Sequence, residues 1–146
     1  MFEGAFATGR CDPETLIVEV TESYSIEHPE RVAAPLEALA AAGVTISVDD
    51  FGTGHSSFAR VESLHARELK LDKSLVQADD RVREVAQIIT EAHRRGIRVV
   101  GEGVESRAQL DRLASAGCDR AQGYLIARPQ PAPALLSWYR MRTRES

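Results

Sequence analysis

The stretch VTISVD (Val44–Asp49) runs directly into DFGTG (Asp50–Gly54). A short β-branched, apolar run bounded by turn residues reads as a buried strand. It ends on two carboxylates and a glycine-rich loop, as strands do when their carboxyl ends carry chemistry in a parallel α/β sheet. Comparable runs flank it. LIVEVT (Leu16–Thr21) lies upstream; ELKLD (Glu68–Asp72), IRVVG (Ile97–Gly101) and a short run over Arg120–Leu125 lie downstream. Their starts are 28, 24, 29 and 23 residues apart, the period of a βα unit.

Helical patterns fill the intervals. Pro29–Ala42 has proline suited to the first turn and Gly43 as its stop. Asp80–Arg95 carries Val82, Val85, Ile88, Ile89 and Ala92 at helical spacing and stops at Gly96. Ser106 and Gln109 have capping-box spacing and open a helix that ends at Gly117. Ala132–Tyr139 reads as a closing helix packed by Trp138 and Tyr139. Strand–helix alternation implies an α/β fold of parallel βα units with about five strands.

The 146 residues fit one domain, with no internal boundary or repeat. Lys and Arg number 18 against 22 Asp and Glu, a net charge of −4 that disfavours general DNA or RNA binding. The longest apolar run, Ala33–Val44, is interrupted by Pro35 and Glu37, so no membrane segment is expected. Met1–Arg10 lacks the layout of a secretory signal. Cys11 and Cys118 read as free thiols, and a cytoplasmic setting follows. His28, His55, His65 and His93 share no metal-ligand spacing and read as solvated or loop residues.

Every strand carries polar residues at its carboxyl end: Glu19 and Glu22, Asp49 and Asp50, Lys70 and Asp72, Glu102 and Glu105, and Gln122. Each alone has an ordinary explanation, such as a helix cap, a first-turn acid or a snorkelling lysine. Their recurrence does not. Alternation puts Ile17, Glu19 and Thr21 on one face of the first strand, and Ser47 and Asp49 on one face of the second. Carboxylates converging inside a barrel repel one another without a cation. Oxygen-only ligands favour a hard divalent ion, Mg²⁺ or Mn²⁺, over zinc.

Five segments, in order, resemble the EAL domain, the bacterial cyclic di-GMP phosphodiesterase domain. They are EVTES (Glu19–Ser23), VDDFGTGHSS (Val48–Ser57), LKLDKSLV (Leu69–Val76), GEGVES (Gly101–Ser106) and GCDRAQGYLIARP (Gly117–Pro129). The resemblance covers about residues 7–140, so residues 1–146 read as one partial EAL domain. It implies strands four to eight of a TIM-like barrel. It also implies metal-dependent hydrolysis of cyclic di-GMP to linear pGpG in the intact family, in bacterial signal transduction. By resemblance, Glu19, Asp49, Asp50 and Glu102 are metal ligands of a two-metal site for Mg²⁺ or Mn²⁺. Glu102 and Lys70 are the catalytic candidates, Glu102 activating water and Lys70 holding the water or the phosphate. Glu22 anchors the loop containing Gly52 and Thr53, while Asp72, Glu105 and Gln122 complete the rim.

His55 stands where the family usually has Tyr, and Gly101 where Ala is common. The family's signature, Glu-Ala-Leu followed by Arg, is not in this chain, nor is the Asn ligand of the next strand. A complete barrel of this kind needs about 250 residues. The chain alone is therefore expected to be inactive or nearly so. Its expected partners are cyclic di-GMP and either a homodimeric twin or a complementing N-terminal half-domain. The alternative is a non-catalytic cyclic di-GMP-binding or protein-interaction module. An unrelated α/β metal enzyme is a third reading, disfavoured by the five ordered motifs.

Overall fold

Alternate residues of three consecutive strands are apolar and nearly solvent-free: Ile46 and Val48, Leu69 and Leu71, and Val99. The computed structural model describes residues 12–21, 29–53 and 57–142. In it these strands form the centre of a five-stranded sheet: β1 (Ile17–Thr21), β2 (Thr45–Phe51), β3 (Glu68–Leu71), β4 (Arg98–Gly101) and β5 (Arg120–Ala121). The spatial order is β1-β2-β3-β4-β5, and all four pairings are parallel. Order without reversal belongs to a barrel wall, whereas a doubly wound sheet reverses at its switch point.

The helices are α1 (Pro29–Ala41), α2 (Phe58–Ser63), α3 (Lys73–Gln77), α4 (Val82–Arg94), α5 (Arg107–Ser115) and α6 (Ala132–Arg142). Val32 and Leu36 of α1, Val85, Ile89 and Ala92 of α4, and Leu113 of α5 join the apolar strand residues in one core. Their spacing is the i, i+3, i+4 stripe of an amphipathic helix. Each such Val, Leu or Ile, fully buried, contributes about 1.5–3 kcal/mol. The helices therefore cover one face of the sheet, as right-handed crossovers require. Ser106 and Gln109 form the expected capping box: the Ser106 hydroxyl accepts from the Gln109 N–H, and the Gln109 side-chain oxygen accepts from the Ser106 N–H.

Three expectations need correction. The helix expected from Asp80 begins as a 3₁₀ turn at Asp79–Arg81 before α4. The strand expected over Arg120–Leu125 ends at Ala121. Residues 123–127 instead form a turn in which the Ile126 and Ala127 N–H groups donate to the Gly123 carbonyl. The helix α6 has no buried residue; Trp138 is half-buried, but Tyr139 is 60% exposed. The short helices α2 and α3 carry too few residues for a periodic pattern, yet both have caps. Ser57 accepts from the Arg60 N–H and Asp72 from the Ser74 N–H.

The opposite sheet face is polar. Register aligns Glu19 with Ser47, Ser47 with Glu68, and Glu68 with Arg98. Ser47, Glu68 and Lys70 are buried there. A sheet with an apolar outer face and a polar inner face places its chemistry inside.

Candidate active site

Residues 49 and 50 would alternate between faces in a regular strand. They do not here. Val48 pairs with Leu69, but Leu71 pairs with Phe51, so β2 carries one extra residue against β3. Asp50 takes a left-handed φ of 60°, which aspartate tolerates better than most side chains. This bulge re-aims the chain, as bulges next to active sites do. As a result Asp49, Asp50 and Glu102 each bring a carboxylate oxygen within 4.8 Å of the others.

Lys70 is the other centre. Its Nζ lies 2.7 Å from Glu102 Oε1, 3.0 Å from Glu19 Oε2 and 3.1 Å from Asp49 Oδ1. An ammonium has three N–H donors, and three carboxylates take them. The lysine side chain is 6% exposed, against 50% for Glu19. Burial works against the charged lysine. Its hydrogen bonds to Glu102, Glu19 and Asp49 outweigh that and raise its pKa, so Lys70 is a cation at all ordinary pH. Burial pushes the Glu102 carboxyl up, opposed by Lys70. Burial and the neighbouring Asp49 and Asp72 push Asp50 up as well. Asp72 goes the other way: burial opposes its charge, but hydrogen bonds from Ser74 and the Lys73 N–H hold it below the usual carboxylate range.

The remaining expected residues surround this centre. Gln122 donates from Nε2 to Glu102 Oε1 at 3.3 Å. The Glu105 N–H donates to Gln109 Oε1, and its exposed side chain lines the cavity rim. Asp72 lines the same cavity while capping α3. Gly52 has a φ of 101°, and a Cβ there would collide with Leu75, so the loop can approach α3 only with glycine. The Thr53 hydroxyl donates to the Asp50 carbonyl at 3.1 Å, tying the loop to the bulge. Glu22, His28 and His55 lie outside the described residues. His93 is not merely solvated: it sits on α4 with Nε2 2.8 Å from Asp119 Oδ2.

A cavity of about 850 Å³ opens over the carboxylates and extends past Gln122 to Tyr124, Arg128, Pro129 and Leu135. The donor set is all oxygen. Two ammoniums, Lys70 and Lys73, meet five carboxylates, Glu19, Asp49, Asp50, Asp72 and Glu102, so the site carries excess negative charge. Those features suit a hard divalent cation.

Sequence reading missed a second charge cluster beneath this one. Glu68, 4% exposed, pairs with Arg98 Nη2 at 3.3 Å and Arg120 Nη1 at 3.2 Å. The signal was present: Glu68 and Lys70 are two apart on β3 and so share a face. The tripeptide Glu37-Ala38-Leu39 also occurs, but on α1, with Glu37 exposed and not among the residues that line the cavity. It offers nothing to the site.

Comparison with known proteins agrees with the geometry. The family model described as "EAL domain" matches residues 2–129. A bifunctional diguanylate cyclase/cyclic di-GMP phosphodiesterase, MucR of Pseudomonas aeruginosa, is 40% identical over 130 residues. The match covers 86% of this chain and 19% of the relative, so the chain spans about a fifth of that protein. A solved structure of PaMucR phosphodiesterase in a c-di-GMP complex superposes with a TM-score of 0.81 at 38% identity, covering 91% of this chain and 56% of that one. The manganese/cy-diGMP complex of Klebsiella pneumoniae BlrP1 at pH 9.0 gives a TM-score of 0.79 at 30% identity, covering 88% and 34%. No helix among the described residues is long and apolar enough to cross a membrane. With the motifs, the barrel-wall sheet and the converging carboxylates in agreement, the chain belongs to the EAL domain family of cyclic di-GMP phosphodiesterases.

Proposed function

We propose that this chain supplies the carboxylate-rich wall of a metal-dependent site that hydrolyses one phosphodiester of cyclic di-GMP to give linear pGpG. The carrying observation is the convergence of Asp49, Asp50 and Glu102 around a lysine already neutralised by Glu19, Asp49 and Glu102. Asp49, Asp50, Glu102 and Glu19 would hold Mg²⁺ or Mn²⁺. A divalent cation at such a site supplies a water of lowered pKa and offsets phosphate charge.

The chain's own residues do the rest. Lys70, itself 6% exposed, places a fixed positive charge where a phosphate oxygen arrives. Glu102, held beside Asp49 and Asp50, is placed to accept the proton of the attacking water. Gln122 holds the Glu102 carboxylate through its Oε1. The bulge and the Gly52–Thr53 loop keep Asp50 aimed inward. Glu22 anchors that loop in this reading, and Asp72 and Glu105 shape the rim.

The family's upstream Glu, Asn and Arg are not among these 146 residues. Catalytic groups that act as a unit fail together, so the isolated chain turns over slowly or not at all. Strands covering β1 and β5, from a second copy or a complementing N-terminal half-domain, would restore it. The test is pGpG formation with Mg²⁺ or Mn²⁺ by the folded chain supplied with a complementing N-terminal half-domain, under conditions where the parent turns over, beside Glu102→Gln. Product that the variant abolishes supports catalysis by this wall; a Glu102→Gln variant as active as its parent overturns the role of Glu102.

One observation favours a binding-only module. All three Lys70 donors are engaged by carboxylates, leaving none for a phosphate until a cation takes the carboxylates over. Calorimetric binding of cyclic di-GMP without turnover, in the chain supplied with a complementing half-domain, would decide for that reading.

A further inference from the structure

We infer that Gln77 is a positioning residue for Glu102, acting through the turn that follows β4. The inference rests on the reading of Glu102 as a metal ligand and deepens it. Glu102, Gly103 and Val104 leave β4 together, and the backbone of each is tied down. The Glu102 N–H donates to the Leu71 carbonyl at 3.2 Å. The Val104 N–H donates to the Gln122 carbonyl at 3.1 Å, and the Val104 carbonyl accepts from the Leu125 N–H at 3.0 Å. Those three bonds run from backbone to backbone. The Gly103 carbonyl between them is held by a side chain instead. Gln77 Nε2 donates to it at 2.8 Å, across 26 residues of sequence.

Gln77 is the last residue of α3, whose cap Asp72 and first residue Lys73 line the cavity. Lys73 and Gln77 stand at helical i, i+4 spacing and so share one side of α3. Both meet Gly103. Its φ is 63°, and a Cβ there would stand 2.5 Å from the Lys73 Cβ and 3.4 Å from Gln77 Nε2. The turn after Glu102 is thus left-handed and pressed against α3. Only glycine fits, yet glycine is also the residue freest to leave that conformation. The amide of Gln77 removes the freedom by fixing the Gly103 carbonyl. Because α3 follows β3 directly, the bond also ties the strand end that carries Lys70 to the strand end that carries Glu102. The fold itself needs the bond little. Gln77 is exposed, and α3 is already anchored by buried Leu75 and Val76. Without the amide, water can serve the Gly103 carbonyl at small cost. What goes is the aim of the carboxylate one residue earlier. Glu102 must keep an oxygen within 4.8 Å of those of Asp49 and Asp50, and a metal site tolerates errors of only about 0.5 Å.

The test is Mn²⁺ titration of the full chain, read from the paramagnetic resonance signal of the free ion, with the urea midpoint measured alongside. Gln77→Met keeps the length of the side chain and loses its N–H donors. It should weaken Mn²⁺ binding about fivefold, less than the roughly tenfold or more typical of a group bonded to a ligand itself. The urea midpoint should stay with the parent. In a Glu102→Gln background the same substitution should add nothing, because the carboxylate it aims is gone; a merely structural residue would weaken both backgrounds alike. Arg112→Met removes the ties from α5 to Asp79 and to the Val76 carbonyl but spares the Gln77 bond, so Mn²⁺ affinity should hold. Unchanged affinity in Gln77→Met, beside a loss in Glu102→Gln, overturns the positioning role and leaves the carboxylate site standing. Equal losses in both backgrounds, or in Arg112→Met as in Gln77→Met, overturn it too. A parent chain that binds no Mn²⁺, or a Glu102→Gln variant that binds it as the parent does, overturns the reading of Glu102 as a ligand, and the role of Gln77 with it.

Discussion

Strand β3 carries two opposite charges two residues apart, and each sits in a cluster of the other sign. Lys70 is one cation among Glu19, Asp49 and Glu102. Glu68 is one anion between Arg98 and Arg120. Both central side chains are buried. The difference lies in where the surplus charge goes. The two arginines are 43% and 51% exposed, so their surplus positive charge is solvated. Glu102 lines the cavity with Asp50, and Asp49 and Glu102 are only 22% and 17% exposed. Water screens the first surplus; the second is left for a cation. The lower cluster reads as wall structure and the upper as a site.

Replacing the central cation should break the comparison most severely. Lys70→Met leaves partly buried carboxylates facing one another, at a cost of about 2–4 kcal/mol at neutral pH, below the usual range because Glu19 can reach water. Urea titration would check it. The loss should shrink on acidification, since protonated carboxyls no longer repel, and Mn²⁺ should recover part of it by supplying a substitute cation. Mn²⁺ should also stabilise the unaltered chain, by about 2.7 kcal/mol at a hundredfold excess over its dissociation constant. Asp50→Asn should abolish most of that shift in a thermal melt, and EDTA should reverse it.

Glu68→Gln probes the lower cluster. It should cost about 2 kcal/mol, since the guanidiniums left behind can turn to solvent. Mn²⁺ should not restore it; if it did, the two clusters would not be distinct. The smallest effect is expected outside both. Asp119 accepts from the Val99 N–H at 2.8 Å and pairs with His93. Burial opposes its charge, but these partners hold its pKa below the usual range. Asp119→Ala should cost about 1 kcal/mol. A depressed carboxyl stabilises above its unfolded pKa, so this contribution is present above about pH 4 and disappears as pH falls through the lowered native value. The variant and parent should therefore converge in stability in acid.

Much of this is legible in the sequence. Strand positions followed from β-branched runs at a βα period, and the capping box at Ser106 and Gln109 followed from spacing alone. Lys70 and Glu102 were readable as site candidates through the recurrence of polar residues at successive strand ends, since each alone has an ordinary explanation. The helices α2 and α3 were not, because five or six residues hold too little periodicity. The last strand was overextended because YLI continues its apolar run, while Gly123 turns the chain against Val104. His93 was set aside because its partner, Asp119, is 26 residues away.

The sequence by itself determined the parallel βα order, the apolar outer face, and which residue types stand at the strand ends. These are local matters of pattern and spacing, written into each short segment. Only the tertiary structure decided how the charges are shared. Alternation alone would have sent Asp49 and Asp50 to opposite faces; one extra residue in β2 and a left-handed turn at Asp50 bring both to Glu102. Pairing energies depend on distances across strands and on the water left between them. Those quantities arise only when β1 through β5 are laid side by side.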